Sequence, residues 1–216
     1  MISQNSAAWD SILRQQMVNA QLRGRGVADE RVLGAMSRVP RHEFAPEQFR
    51  DQAYEDHPLP IGEGQTISQP YIVALMLEAL ELSPDDKVLE VGTGSGYVTA
   101  LLAEMAAEVI SIERHGSLAN SARALLAAMG YRNVRVIEGD GTRGFPEAAP
   151  YDGIVVSAAA LETPPALISQ LAEGGQMIIP VGSDDAQQLR LIRMEYGQPK
   201  VEFRELCRFV PLVSGP

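Results

Sequence analysis

Cysteine is nearly missing from this chain: Cys207 is the one thiol in 216 residues. That excludes an intramolecular disulfide and fits a reducing compartment, so a cytoplasmic protein is expected. Cys207 itself reads as a small apolar residue of a C-terminal strand rather than a nucleophile. The histidines are three, His42, His57 and His115, far apart, and neither H-x-x-x-H nor C-x-x-C occurs, so no metal site is expected. No apolar stretch approaches the roughly 20 residues that span a bilayer. The opening MISQNSAAWD has neither the basic start nor the apolar run of a secretory signal, so no membrane partner is expected. Positive charge is short too: 18 Lys and Arg against 28 Asp and Glu leave a net −10. Without a basic excess to displace counterions, nucleic acid is not an expected partner.

What remains is an ordinary globular composition, 45% apolar and 21% charged, with length for a sizeable core. Residues 7–23 read as a polar helix and 29–37 as a second, with Asp29 as its N-cap. Residues 40–67 carry Pro40, Pro46, Pro58, Pro60, Gly62 and Gly64 and read as irregular, too long for an idle connection, so packing over a site is expected. A helix follows from Gln69, with Ile72, Leu75, Met76, Ala79 and Leu80 on one face and Pro84 closing it. Strand and helix then alternate. Strand Lys87–Val91 leads to a helix over 97–106, and strand Val109–Glu113 to a helix over 117–129. That second helix turns Leu118, Ala122, Leu125, Leu126 and Met129 inward and stops at Gly130. Strands Val134–Glu138, Asp152–Ser157 and Gln176–Val181 follow, with a short helix capped by Thr163 and Pro164 before the last. Gln188–Glu195 and Val201–Val210 need no crossover and read as an antiparallel hairpin. The expectation is an α/β fold with a doubly wound, mostly parallel, Rossmann-like sheet, a C-terminal antiparallel hairpin and an N-terminal helical addition. Residues 1–67 would pack as a substrate-side addition on a core of 68–216, making one compact unit.

In such a sheet, ligands bind beyond the C-terminal strand ends near the topological switch point. There the chain reads KVLEVGTGSG over 87–96, and 21 residues after Gly92 stands Glu113. Gly92 and Gly94 let the backbone approach a ligand, and Glu113 can accept both hydroxyls of a ribose. A dinucleotide fingerprint requires G-x-G-x-x-G, and Tyr97 occupies the place of its third glycine. What stands is Glu90 followed by Gly92, Gly94 and Gly96, which resembles the first motif of class I S-adenosylmethionine (SAM) methyltransferases. Asp140 of Gly139-Asp140-Gly141 reads equally as an acceptor for an adenine amino group or as a turn residue. Ser157 and the three alanines after it offer a small-residue floor.

The segment PIGEGQTISQP, 60–70, runs directly into the helix that starts near Gln69. From composition, Ser68 reads first as the N-cap of that helix, with Pro70 in its first turn. A glycine-rich loop bearing Thr66 and Ser68 at a helix N-terminus also suits a carboxylate.

Over most of its length the chain is similar to the protein-L-isoaspartate(D-aspartate) O-methyltransferases of bacteria and archaea. The matching blocks are 24–44, 53–76 with its QTISQPY, 87–103, GDG at 139–141, YDGIVVSAA at 151–159, 170–182 and RFVPL at 208–212. The resemblance implies SAM-dependent methylation of the α-carboxylate of L-isoaspartyl residues in damaged proteins and peptides. The ester would then collapse to a succinimide that hydrolyses partly to aspartate. It implies Ser68 as the active-site residue and a cofactor contacted by Thr66, Ile67, Glu90, Gly92, Thr93, Gly94, Gly96, Glu113, Arg114, Asp140 and Gly141. It implies substrate contacts from Ser68, Ala158, Val210 and Leu212. Val98 departs from the polar residue usual there in bacterial members. A groove open to protein chains suits a monomer. Three rivals remain at this point: another class I methyltransferase acting on RNA or a small molecule, an NAD-dependent dehydrogenase, and a non-catalytic SAM-binding protein on the same fold.

Overall fold

The computed structural model describes residues 3–183 and 185–215. The chain opens with helix α1 (Ser3–Gln16), which widens into a π-helical stretch over Met17–Leu22 and tightens at Arg23–Arg25. Helix α2 (Glu30–Arg38) begins where Asp29 Oδ1 accepts the N–H groups of Arg31 and Val32, at 2.7 and 3.4 Å. The irregular stretch holds more order than its prolines suggested. Two 3₁₀ turns precede a small antiparallel hairpin, β1 (Leu59–Gly62) with β2 (Gln65–Ile67), turned by Glu63 and Gly64, both at positive φ.

Helix α3 (Pro70–Ala79) corrects two expectations. It ends well before Pro84, and its buried residues are Pro70, Val73, Ala74, Met76 and Leu77, with Leu80 buried just past its end, while Ile72, Leu75 and Ala79 are half-buried against the same core. A helix apolar nearly all round gives a face assignment little contrast to work with.

Then come β3 (Lys87–Val91), α4 (Tyr97–Ala103), β4 (Glu108–Glu113), α5 (Gly116–Ala128), β5 (Val134–Glu138), β6 (Tyr151–Val156), α6 (Pro165–Ile168), β7 (Leu171–Ser183), β8 (Ala186–Glu195) and β9 (Gln198–Cys207). Within α5, Leu118, Ala122 and Leu126 are buried and Leu125 half-buried, as is Met129 at its C-cap. The cap expected at Thr163 and Pro164 lies one residue later: Pro164 flanks α6 and Pro165 opens it.

Seven strands form one sheet in the order β5-β4-β3-β6-β7-β8-β9. The first five are parallel; β8 pairs antiparallel with β7, and β9 antiparallel with β8 through a two-residue turn at Tyr196-Gly197. Parallel strands covered on both faces read as continuous apolar runs, as Ile154–Val156 and Met177–Ile179 do. One face packs on α2 to α5 and the segment after α1 through Met17, Val32, Met36, Leu77, Leu101 and Leu102. The other, through Leu89, Ile110, Ile154, Met177 and Ile179, packs on α6 through Leu167. The order reverses between β3 and β6. There the connections diverge and leave a crevice.

Candidate active site

The turn after β3 crosses that crevice. Gly92, Gly94 and Gly96 stand at φ of +94°, +54° and +89°, conformations that L side chains rarely adopt. Gly92 N and Thr93 N both donate to Ile112 O, at 2.8 and 3.3 Å, which pins the turn to β4. A Cβ on Gly92 would come within 3.4 Å of Ser157 Cβ, and one on Gly94 within 3.2 Å of Ile61 Cδ1. The turn thus runs between the end of β6 and the β1–β2 hairpin. That hairpin is tied down at its tip, where Glu63 Oε1 accepts from Ser117 Oγ at 2.7 Å.

Glu113, at the end of β4, is 5% exposed. Its two carboxylate oxygens accept Gly94 N at 2.8 Å and His115 N at 2.9 Å. Glu90 lies beneath the turn, wholly buried, outside the lining of the cleft. Its Oε2 accepts from Thr99 Oγ1 at 2.5 Å and Ser111 Oγ at 2.6 Å, while Oε1 has no hydrogen-bond partner among the described residues. Burial pushes its pKa up to about 8, against the two hydroxyl donors. Gly96 likewise faces the core, against Ala122 and Leu126. Asp140 makes a local turn, Oδ1 accepting Thr142 N and Oγ1, and Oδ2 accepts Gly215 N at 2.9 Å. Partial burial would raise its pKa, but these donors hold it below the ordinary value.

The cleft itself, about 120 Å³, is walled by Thr66, Ile67, Ser68, Gly92, Thr93, Gly94, Glu113, Arg114, Gly141, Ala158, Val210 and Leu212. Val210 and Leu212 reach it because the chain after β9 returns along Ala159, with Ala159 N on Val210 O and Leu212 N on Ala159 O. A larger groove of about 690 Å³, between Tyr71 and Ile72 on one side and Leu206 to Phe209 on the other, opens beside it. Thr66, Ser68, Ser157 and Val210 border both.

Ser68 is not the N-cap of α3. Gln69 flanks the helix without a side-chain cap, and Tyr71 N donates instead to Asp56 Oδ1 at 2.9 Å. Ser68 Oγ makes no hydrogen bond among the described residues. Sequence reasoning missed Asp56, 15 residues upstream of its partner, because capping rules search only the residues next to the helix. It also passed over Arg41, whose guanidinium donates to Ser68 O, and Gln65 and Val213 in the cleft wall. Nothing local in the sequence marks those three.

A sheet that reverses at its first core strand, a glycine turn there and an acid ending the next strand make a nucleoside site. With Tyr97 in place of the third glycine of a dinucleotide fingerprint, the fold is that of the class I SAM-dependent methyltransferases. The family model of protein-L-isoaspartate(D-aspartate) O-methyltransferase matches residues 13–216, and the chain belongs to that family. A protein-L-isoaspartate O-methyltransferase of Koribacter versatilis is 55% identical over 202 residues, covering 94% of this chain and 91% of the relative. One from Methanoculleus marisnigri is 53% identical over 202 residues, covering 93% and 91%. A solved structure from Plasmodium falciparum, assigned to the same enzyme and in complex with S-adenosyl-L-homocysteine, superposes with a TM-score of 0.83. It is 29% identical and covers 94% of this chain and 99% of that one.

Proposed function

We propose that this protein transfers the methyl group of SAM to the α-carboxylate of L-isoaspartyl residues in peptides and proteins, with Ser68 holding the acceptor where cleft and groove meet. Residues 1–67 act as the substrate-side cover and 68–216 as the cofactor-binding core. Isoaspartyl-containing chains are the partners, met by a cytoplasmic monomer. No helix among the described residues is long and apolar enough to cross a membrane.

The chain's residues fit the cofactor. Gly92 and Gly94, both at positive φ, bring the turn after β3 to the cleft without a Cβ at those two positions, and the Glu113 carboxylate borders the cleft beside them. Thr93, Gly94 and Arg114 would hold the nucleoside with Glu113, Gly141 would admit the adenine next to Asp140, and Thr66 and Ile67 would close over it. Glu90 and Gly96 would serve from beneath, keeping the turn in shape. When bound, SAM supplies a sulfonium-activated methyl group.

An isoaspartyl carboxylate is ionised at pH 7, so the acceptor requires no general base. The protein's part is then to aim that carboxylate and keep water out. Ser68 suits the first task as a hydroxyl donor with no other commitment. Ile67, Ala158, Val210 and Leu212 suit the second as an apolar wall. The observation that carries this reading is the position of Ser68 on both cavities with its hydroxyl unengaged.

Ser68→Ala tests it. Turnover is expected to fall by about ten- to a thousandfold, the scale of losing one positioning donor. SAM affinity, measured by calorimetry, should change by less than about twofold because the group lost faces the acceptor. Methyl transfer at the parent rate would overturn the role given to Ser68.

A further inference from the structure

Arg41 lies in the turn after α2 and is completely buried. Its Nε donates to Ala53 O at 2.8 Å and its Nη2 to Ser68 O at 2.8 Å. No carboxylate pairs with it among the described residues. The guanidinium carbon sits instead 4.7 Å from the centroid of the Tyr97 ring, which borders the cleft. Arg41 Nη1 and the Tyr97 hydroxyl are both buried without a hydrogen-bond partner among the described residues.

A buried cation in no direct ion pair is costly, and an apolar side chain of similar length would fill the space more cheaply. Asp56, the acid that acts on it through space, is itself paired with Arg25. Its two bonds are informative. Ala53 and Ser68 are the two ends of the segment that contains the capping Asp56 and the hairpin over the glycine turn. A planar fork can hold two carbonyls in a fixed relation, which the single ammonium of lysine does not. The Ser68 carbonyl belongs to the residue given the acceptor above, so fixing that peptide fixes the Cα–Cβ direction from which the hydroxyl reaches. The charge behind it is in no direct ion pair, since the nearby Asp56 is engaged by Arg25, and the ligand due at Ser68 is a carboxylate.

We propose that Arg41 is a positioning residue for methyl transfer: by gripping the Ala53 and Ser68 carbonyls it sets the direction of the Ser68 hydroxyl, and it leaves that junction positive for an incoming carboxylate. The proposal rests on the role given above to Ser68. Arg41 acts through Ser68, so the two side chains should behave as a unit under mutation.

The test is a double-mutant cycle on the full chain. Arg41→Lys and Arg41→Gln are made in the parent and in Ser68→Ala, with initial rates on an isoaspartyl peptide and SAM affinity by calorimetry. Arg41→Lys in the parent should lower kcat by about ten- to a hundredfold, the scale of misplacing one group. SAM affinity should stay within about threefold, since Arg41 touches neither the glycine turn nor Glu113. In the Ser68→Ala background the same change should cost less than about threefold, because the group it aims is gone. Arg41→Gln, which also removes the charge, should in addition raise KM for the peptide. Equal losses in both backgrounds, no loss in the parent, or loss of SAM binding by both variants would each make Arg41 a structural residue and overturn the proposal. If the parent fails to methylate the peptide, or Ser68→Ala matches it, the underlying reading fails instead. The Arg41 proposal fails alone where Ser68→Ala is impaired and Arg41→Lys is not.

Discussion

Asp56 Oδ1 accepts the backbone N–H of Tyr71, at 2.9 Å, across 15 residues of chain. It thereby fills the place at the start of α3 that composition assigned to Ser68. Asp56 is held in turn by Arg25, whose Nη1 meets Oδ2 at 2.5 Å and whose guanidinium lies 3.4 Å over the Tyr71 ring. The helix is capped from outside, and the serine beside it is left with a free hydroxyl at the mouth of the cleft.

Asp56→Ala should therefore lower stability by about 1–2 kcal/mol, the usual range for a lost cap. Urea denaturation reads this directly as a shift in midpoint at unchanged slope. An unshifted midpoint would mean that the Asp56–Tyr71 bond contributes nothing to the helix.

Glu113→Ala should weaken SAM binding by about ten- to a hundredfold, as expected for a charged acceptor of two hydroxyls. Calorimetry should show the loss in Kd. Affinity equal to that of the parent would remove Glu113 from the cofactor site.

Glu90→Gln should change how stability depends on pH. The Glu90 carboxyl is raised from 4.5 to about 8 by burial, so the folded state holds its proton more tightly than the unfolded state does. That contribution is fully present below pH 4.5 and is lost as pH rises through about 8. Glutamine carries no such proton. The variant should gain on the parent as pH rises from 5 to 8, in urea midpoints measured without cofactor. Parallel curves for the two proteins would show that Glu90 is not held protonated.

Much of this architecture was legible because its signals are local. Ile154–Val156 and Met177–Ile179 are apolar runs near glycine-bearing turns, and the alternation of such runs with helices implies a parallel sheet. The glycine turn and Glu113 could be read from spacing alone. The bond from Gly94 N to Glu113 could not, because it exists only once β3 and β4 lie side by side. The hairpin over 59–67 was hidden by its own prolines and glycines, which mark a loop as readily as a turn between short strands. Asp56 and Arg41 were invisible for a different reason. Each serves a backbone group 15 or 27 residues away, and no pattern of neighbours announces such a contact. The side chains that bond the backbone at and just after Ser68 are thus those that local reading could not supply.

The central claim is methyl transfer to isoaspartyl carboxylates. It is tested most directly with labelled SAM and two synthetic peptides, identical except for isoaspartate or aspartate at one position. The account predicts base-labile label on the isoaspartyl peptide alone. Label on both peptides equally, or on neither while SAM remains bound, would contradict it.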